Sequence, residues 1–178
     1  PKGVLIPQRA LANHVSWLQH QFGGEPVRSV HRAALSFDMS LDEMFLGLVT
    51  GGVVIVIDED ISGDPLAMAR EIQRNSATHV YFTASLFRTC LDTGFFDECT
   101  CLRTLLSGGE ELSPELARRL LAASEASLFN LYGPTEACVE ATYFKIERGK
   151  DYRRVPIGRP ISNTQIYVLG PRLESLPV

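Results

Sequence analysis

The stretch RTLLSGGEELSPELARRLLAASEASLFNLY, Arg103 to Tyr132, decides the fold. Arg103 to Ser107 reads as a short strand. Ser113-Pro114 then supplies an N-cap hydroxyl and a preset first helical residue, so a helix runs from there to about Ala123. Ser127 to Tyr132 reads as a second strand. Strand, helix and strand within about 30 residues make a βαβ unit, whose right-handed crossover lays the two strands parallel.

Working outward, the alternation repeats. Leu11, Val15, Leu18 and Phe22 recur at helical spacing and stop at Gly23-Gly24, which predicts a first helix over about 8–22 closed by a left-handed glycine. Ala33 to Phe37 reads as a strand, and Ser40 with Glu43 three residues on makes a capping box opening a helix to about Val49. A turn at Gly51-Gly52 follows. The β-branched run Val53 to Ile57 lacks polar alternation, the mark of a strand buried on both faces. Asp64-Pro65 opens a helix to about Asn75, Thr78 to Thr83 reads as a strand, and residues 84–92 as a helix. Past Thr142 the helical signal ends, Pro156 to Asn163 is turn-rich, and Gln165 to Leu169 reads as a strand. The expected fold class is α/β: a mainly parallel sheet flanked by helices, with no internal repeat or linker.

Composition narrows the function classes. With 178 residues, 45% hydrophobic and 21% charged, and a mean hydropathy of +0.03, the chain can bury one sizeable core, as one domain or part of one. Its 17 basic side chains against 21 acidic ones leave no electrostatic footprint for a phosphate backbone or anionic lipid. Neither nucleic acid nor membrane is an expected partner. No apolar run approaches the ~18 residues of a membrane span. Pro1-Lys2-Gly3-Val4 shows neither a start methionine nor a signal-peptide pattern, so a piece of a longer chain is expected.

Cys90, Cys99, Cys101 and Cys138 lack the paired spacing of a zinc site, and a reduced, cytoplasmic setting is expected. Cys99-Thr100-Cys101 is open to redox or metal chemistry, the plainer reading being small buried hydrophobes. His14, His20, His31 and His79 show no metal-site spacing and read as surface or strand histidines. Arg118-Arg119 reads as a solvated helix face.

In open parallel sheets ligands collect at the carboxyl ends of strands. The loops there hold the unusual residues: Phe37 to Ser40, Ser107 to Glu111, and Tyr132 to Glu136. Asn130-Leu131-Tyr132-Gly133-Pro134-Thr135-Glu136 is the most specific stretch. It combines an aromatic able to stack on a nucleobase, a Gly-Pro corner, and a hydroxyl beside a carboxylate. Such a set can hold a planar ring, a phosphate oxygen and a divalent metal, because hard cations prefer oxygen ligands. An ordinary β-turn with Pro134 at a corner is the alternative.

The ordered motifs PKG (1–3), SFDMS (36–40), NLYGPTEACVEAT (130–142) and PIGRPISNTQIYVL (156–169) resemble the adenylation domain of nonribosomal peptide synthetases, in the adenylate-forming superfamily. The resemblance runs across essentially the whole chain. It implies an internal fragment, 1–178, of the large N-terminal domain of an adenylate-forming enzyme, truncated at both ends. Such a fragment should be inactive by itself and poorly soluble where strand edges are cut open. The implied reaction is attack of an amino acid on the α-phosphorus of Mg-ATP, release of pyrophosphate, and transfer of the aminoacyl group to a phosphopantetheine thiol. The implied partners are a peptidyl carrier protein domain and a condensation domain of the same synthetase.

By that resemblance Tyr132 stacks on adenine, Asn130 bonds its amino edge, and Gly108 and Gly109 let backbone approach the nucleotide. Asn130 could equally satisfy a strand-end backbone group. Thr135 contacts phosphate, Glu136 holds Mg2+, and Lys2 resembles the tail of the phosphate loop. Asp38 resembles the carboxylate that holds the substrate α-ammonium; its alternative role is to assist the start of the following helix. Met39, Asp42, Tyr81, Leu106, Gly108, Leu131, Val139 and Glu140 would surround the substrate side chain. Two acids in an otherwise apolar pocket favour a basic substrate of the ornithine, hydroxyornithine, lysine or arginine kind. Asp42 could instead complement its helix dipole. Glu140 follows Val139 directly, so both line one pocket only where the backbone is irregular. An acyl-CoA or aryl-acid ligase of the same superfamily, or a noncatalytic nucleotide-binding module, are the alternative functions.

Overall fold

The computed structural model describes residues 3–176. Strands β1 (Arg28–His31), β2 (Val53–Val56), β3 (His79–Phe82), β4 (Thr104–Ser107) and β5 (Ser127–Tyr132) run parallel. Strands β6 (Thr142–Lys145) and β7 (Arg159–Pro160) return antiparallel. Together they form one sheet in the order β2-β1-β3-β4-β5-β6-β7.

Successive strand side chains point to opposite faces, and this alternation divides the apolar residues into two cores. Val30, Val80, Phe82, Leu105 and Leu128 pack with α4 (Pro65–Arg74), α5 (Ala84–Thr93), α6 (Phe95–Glu98) and α7 (Pro114–Ala123). Tyr81, Leu106, Phe129 and Leu131 pack on the other face with Trp17 and Leu18 of α1 (Gln8–Phe22) and Leu46 of α2 (Met39–Val49). A short helix, α3 (Glu59–Ser62), precedes α4. The result is the three-layered α/β arrangement expected of alternating strands and helices.

The long helices start where their caps put them. Asp64 Oδ1 accepts from Leu66 N and Ala67 N at 2.9 and 3.2 Å, Thr83 Oγ1 from Leu86 N at 3.3 Å, and Ser113 Oγ from Leu116 N at 3.2 Å. Each satisfies backbone donors that lack helical partners. Among the described residues no helix is long and apolar enough to cross a membrane.

Several local expectations are corrected. Gly23 closes α1 at φ −90°, outside the left-handed region. Its glycine identity answers to crowding, since a Cβ there would lie 2.3 Å from the Gln19 carbonyl oxygen. Ala33 to Phe37 is not a strand. The strand is Arg28–His31, and the Glu43 carboxylate takes the N–H groups of Arg32 and Ala33 at 2.9 and 2.8 Å, removing both donors from the ladder. Glu43 is therefore turned toward the end of β1, and the Ser40–Glu43 capping box does not form; Asp38 precedes α2 without a side-chain cap. Val53 to Val56 is the sheet edge, with Val53 and Val56 43% and 69% exposed. Gln165 to Leu169 forms no strand, only a single bridge between Leu169 and Ser175.

Candidate functional site

Because β1, β3, β4 and β5 are parallel, the segments after His31, Phe82, Ser107 and Tyr132 leave the sheet at the same end. The strands preceding the three unusual loops are not all neighbours, since β3 separates β1 from β4. Tyr81 of β3 and Leu106 of β4 fill the interval between α2 and the β5 loop.

A cleft of about 390 Å³ opens beside the end of β5, lined by Gly109, Leu112, Asn130, Tyr132, Arg154 and Ile157 among others. Asn130 is buried at the strand end, and its Nδ2 donates to the Pro156 carbonyl at 2.9 Å. Its Oδ1 is engaged by no group among the described residues. The Tyr132 ring is half exposed, and Gly109 turns the backbone at φ +78°, a conformation that glycine adopts without a Cβ penalty. Gly108 is buried and faces elsewhere: a Cβ there would lie 2.1 Å from the Tyr81 hydroxyl. Of the glycine pair, Gly109 lines this cleft. Thr135 and Glu136 sit exposed on a 3-10 turn, Thr135–Ala137, and Glu136 forms no ion pair among the described residues. Lys2 lies outside the described residues.

After that turn the chain does something no regular strand does. Cys138 and Val139 both adopt positive φ, 67° and 69°, uncommon for any residue with a Cβ and an outlier for a β-branched one. The segment is held down by Ala141 N donating to the Tyr132 carbonyl at 2.8 Å. It also passes so close over Gly133 that a Cβ there would lie 2.1 Å from the Val139 carbonyl oxygen. This irregularity lets Val139 and Glu140 both turn inward, and each is buried.

Glu140 thereby meets Asp42 of α2 and His14 of α1. His14 Nε2 lies 2.6 Å from Asp42 Oδ1 and 3.2 Å from Glu140 Oε2, with all three side chains 1% exposed. The Tyr81 hydroxyl donates to Glu140 Oε1 at 2.5 Å. Burial disfavours charge on every member. It pushes Asp42 up to about 7, with Asp38 and Glu43 adding like-charge repulsion. It raises Glu140 well above the usual carboxylate range, with Asp42 reinforcing the shift, and raises Tyr81 likewise. It lowers His14 despite the opposing pull of Glu140 and Asp38. The cluster thus disfavours charge on its carboxyls, Asp42 and Glu140 share a side-chain hydrogen bond, and His14 Nδ1 is left without a partner.

Around this cluster Met39, Leu106, Leu131 and Val139 are buried or half-buried. The void bounded by Asp42, Tyr81 and Leu106 among others is only about 10 Å³, at the lower limit of what one water needs. Asp38 is half-buried, close enough to influence His14, Asp42 and Tyr81, and its carboxylate makes no side-chain hydrogen bond among the described residues.

His14 was not legible as a site residue from spacing to acids in sequence, and its reading as a surface or strand histidine is corrected here. The usable signal is its place on the inner face of α1, four residues before Leu18 and three before Trp17, both buried. His14, Asp42 and Glu140 also form the one set of three donors among the described residues close enough to share a metal ion. The cysteines do not: all four are free, and Cys99 and Cys101 place their sulfurs 3.9 Å apart. Burial pushes Cys90 up to about 12 and raises Cys99 further, as expected of inert interior thiols.

A family model described as AMP-binding enzyme matches residues 1–178. Tyrocidine synthase 3 of Brevibacillus parabrevis is 35% identical over 179 residues, covering 100% of this chain and 3% of the relative. Phosphinothricin tripeptide synthetase PhsB of Streptomyces viridochromogenes is 37% identical over 179 residues, covering 99% and 15%. Among solved structures, PA1221, described as a nonribosomal peptide synthetase protein containing adenylation and PCP domains, superimposes with a TM-score of 0.81 at 28% identity. That match covers 94% of this chain and 34% of the other. The chain therefore spans a minor part of each of these proteins.

Proposed function

The chain belongs to the AMP-binding enzyme family, and from that premise we propose that the protein carrying it activates an amino acid with ATP. The product is aminoacyl-AMP, which passes to the phosphopantetheine thiol of a carrier protein, with a condensation domain using the resulting thioester. The observation that carries this reading is the presence, at one end of one sheet, of two unlike subsites. One is a cleft with an aromatic ring and an amide at its wall; the other is a buried acid pair with an unpartnered carboxylate, Asp38, beside it. The adenylation and PCP domains of PA1221 support the carrier partner by analogy.

In this reading Tyr132 stacks on adenine, the free Oδ1 of Asn130 accepts from its amino group, and the Gly109 backbone lies along the nucleotide. Asp38 accepts hydrogen bonds from the substrate α-ammonium, which orients the substrate carboxylate toward the α-phosphorus. The carboxylate oxygen forms the new P–O bond as the bond to pyrophosphate breaks. Such alignment converts a bimolecular encounter into a step within one complex. The Thr135 hydroxyl donates to a phosphate oxygen. Glu136 is a free, exposed carboxylate beside that hydroxyl, a donor set that fits Mg2+, and the ion when bound would offset phosphate charge.

Asp42 and Glu140 favour a substrate with a cationic side chain, because an ammonium between two buried carboxyls relieves both repulsion and desolvation. The test is amino-acid-dependent ATP–pyrophosphate exchange by the full-length protein over a panel of amino acids. Ornithine, lysine or arginine should lead the panel. Preference for an aliphatic or aromatic amino acid over every basic one would overturn the substrate assignment, and no exchange with any amino acid would overturn the activity.

A further inference from the structure

The acid pair is buried, and His14 lies against both of its members. Toward the sheet, Asp42, Tyr81 and Leu106 enclose only about 10 Å³. Toward solvent lies a cleft of about 440 Å³ whose wall includes Ala10, Asn13, His14, Cys138 and Ile161. His14 reaches both: it borders this outer cleft and touches Asp42 and Glu140.

We propose that His14 is a specificity-determining residue of the side-chain subsite: its ring stands where the cationic group of a basic substrate binds, and that group displaces it from between Asp42 and Glu140. This rests on the amino-acid-activating reading above.

Three observations support the displacement. His14 Nε2 contacts one oxygen of each acid, at 2.6 and 3.2 Å, the position an ammonium nitrogen would take. The fit is incomplete, because His14 Nδ1 has no hydrogen bond and Asp42 Oδ2 receives none from His14, although all three side chains are buried. A buried polar atom without a partner is destabilising, because it has given up its bond to water for nothing in return. An imidazole offers at most two N–H groups on opposite sides of a ring, whereas an ammonium offers three from one point and a guanidinium five. A basic side chain can therefore donate to more of the acid oxygens at once than His14 does, while the displaced ring gains the outer cleft, where Nδ1 can reach water. Proton balance follows from the same geometry. The groups facing the pair are His14, Asp38, Glu43, Tyr81 and Cys138. Placing a fixed positive charge between carboxyls whose ionisation is disfavoured by burial promotes that ionisation, so binding should release protons at pH 7.

The experiment compares the full-length protein with its His14→Ala and His14→Gln variants in pyrophosphate exchange with ornithine, lysine and arginine. Proton uptake or release is read by calorimetry of ornithine binding in buffers of different ionisation enthalpy. His14→Ala should lower KM for basic substrates and raise the arginine-to-ornithine ratio of kcat/KM by about tenfold, the scale on which pocket shape discriminates, with KM for ATP unmoved. His14→Gln, which preserves bulk and a polar tip, should fall between, and it decides the matter if His14→Ala does not fold. A parent protein that prefers no basic amino acid overturns the function proposed above, whatever the variants do. A parent that prefers basic amino acids, with variants whose KM values and substrate ratio match it, or with no proton released on ornithine binding, overturns the role of His14 alone.

Discussion

Asp42 keeps its proton up to about pH 7 because burial removes the water that would solvate its charge, while Asp38 and Glu43 repel it. Its folded-state value lies above the unfolded 3.8, so this contribution to stability is complete below about pH 4 and is lost as pH rises through 7. His14, lowered from 6.5 by burial, acts in the opposite sense and loses stability as pH falls below 6.5. Asp42→Asn retains the shape and cannot ionise. Its melting temperature relative to the parent should climb by at least about 5 °C between pH 4 and pH 7, measured by thermal unfolding at each pH; a constant difference would show the carboxyl ionised throughout. The pairing of Asp42 with Glu140 was anticipated from motif resemblance, on the condition of an irregular backbone. Neither Cys138 nor Val139 advertises a left-handed turn in sequence, since glycine and asparagine are the residues that do so. In sequence, a histidine on an apolar helix face such as His14 looks the same whether its partners are acids or solvent.

At the level of single elements, the helices were readable to within a residue or two where side chains cap them. Asp64-Pro65, Thr83 and Ser113-Pro114 each bind the backbone donors of the turn they open. Asp64→Ala should cost about 1 kcal/mol and lower the melting temperature by about 2–4 °C, read by circular dichroism, because two N–H groups of α4 lose their acceptor at once. The strands were less legible. β1 is Arg-Ser-Val-His, with one apolar side chain, and it is a strand because its backbone is paired on both sides by β2 and β3. Ser29 tolerates burial there by donating to the Glu43 carbonyl at 2.6 Å. Tertiary pairing of that kind overrides local preference, and the more apolar Ala33 to Phe37 lost its place to a carboxylate ten residues downstream.

For the molecule as a whole, alternating strands and helices were enough to foresee a parallel sheet, but not which strand lies at its edge. Val53 to Val56 looks interior by composition and is exposed by topology, since β2 has β1 on one side and no strand on the other among the described residues. An open, apolar edge invites pairing with another chain. Val56→Lys should lower the light scattering of concentrated samples while changing stability by no more than about 0.5 kcal/mol; scattering equal to the parent's would assign self-association to another surface. A second feature reaches across the whole site. The strap from Tyr132 to Glu140 is pinned at both ends, by the Ala141–Tyr132 hydrogen bond and by the close passage over Gly133, and it carries both the ring beside the cleft and an acid of the buried pair. Redesign of amino-acid preference by grafting a foreign segment over 138–140 would drag the Tyr132 ring out of register with its cleft. Exchanges on α1 and α2, at His14 and Asp42, leave that ring anchored, so combinatorial libraries belong on those two helices.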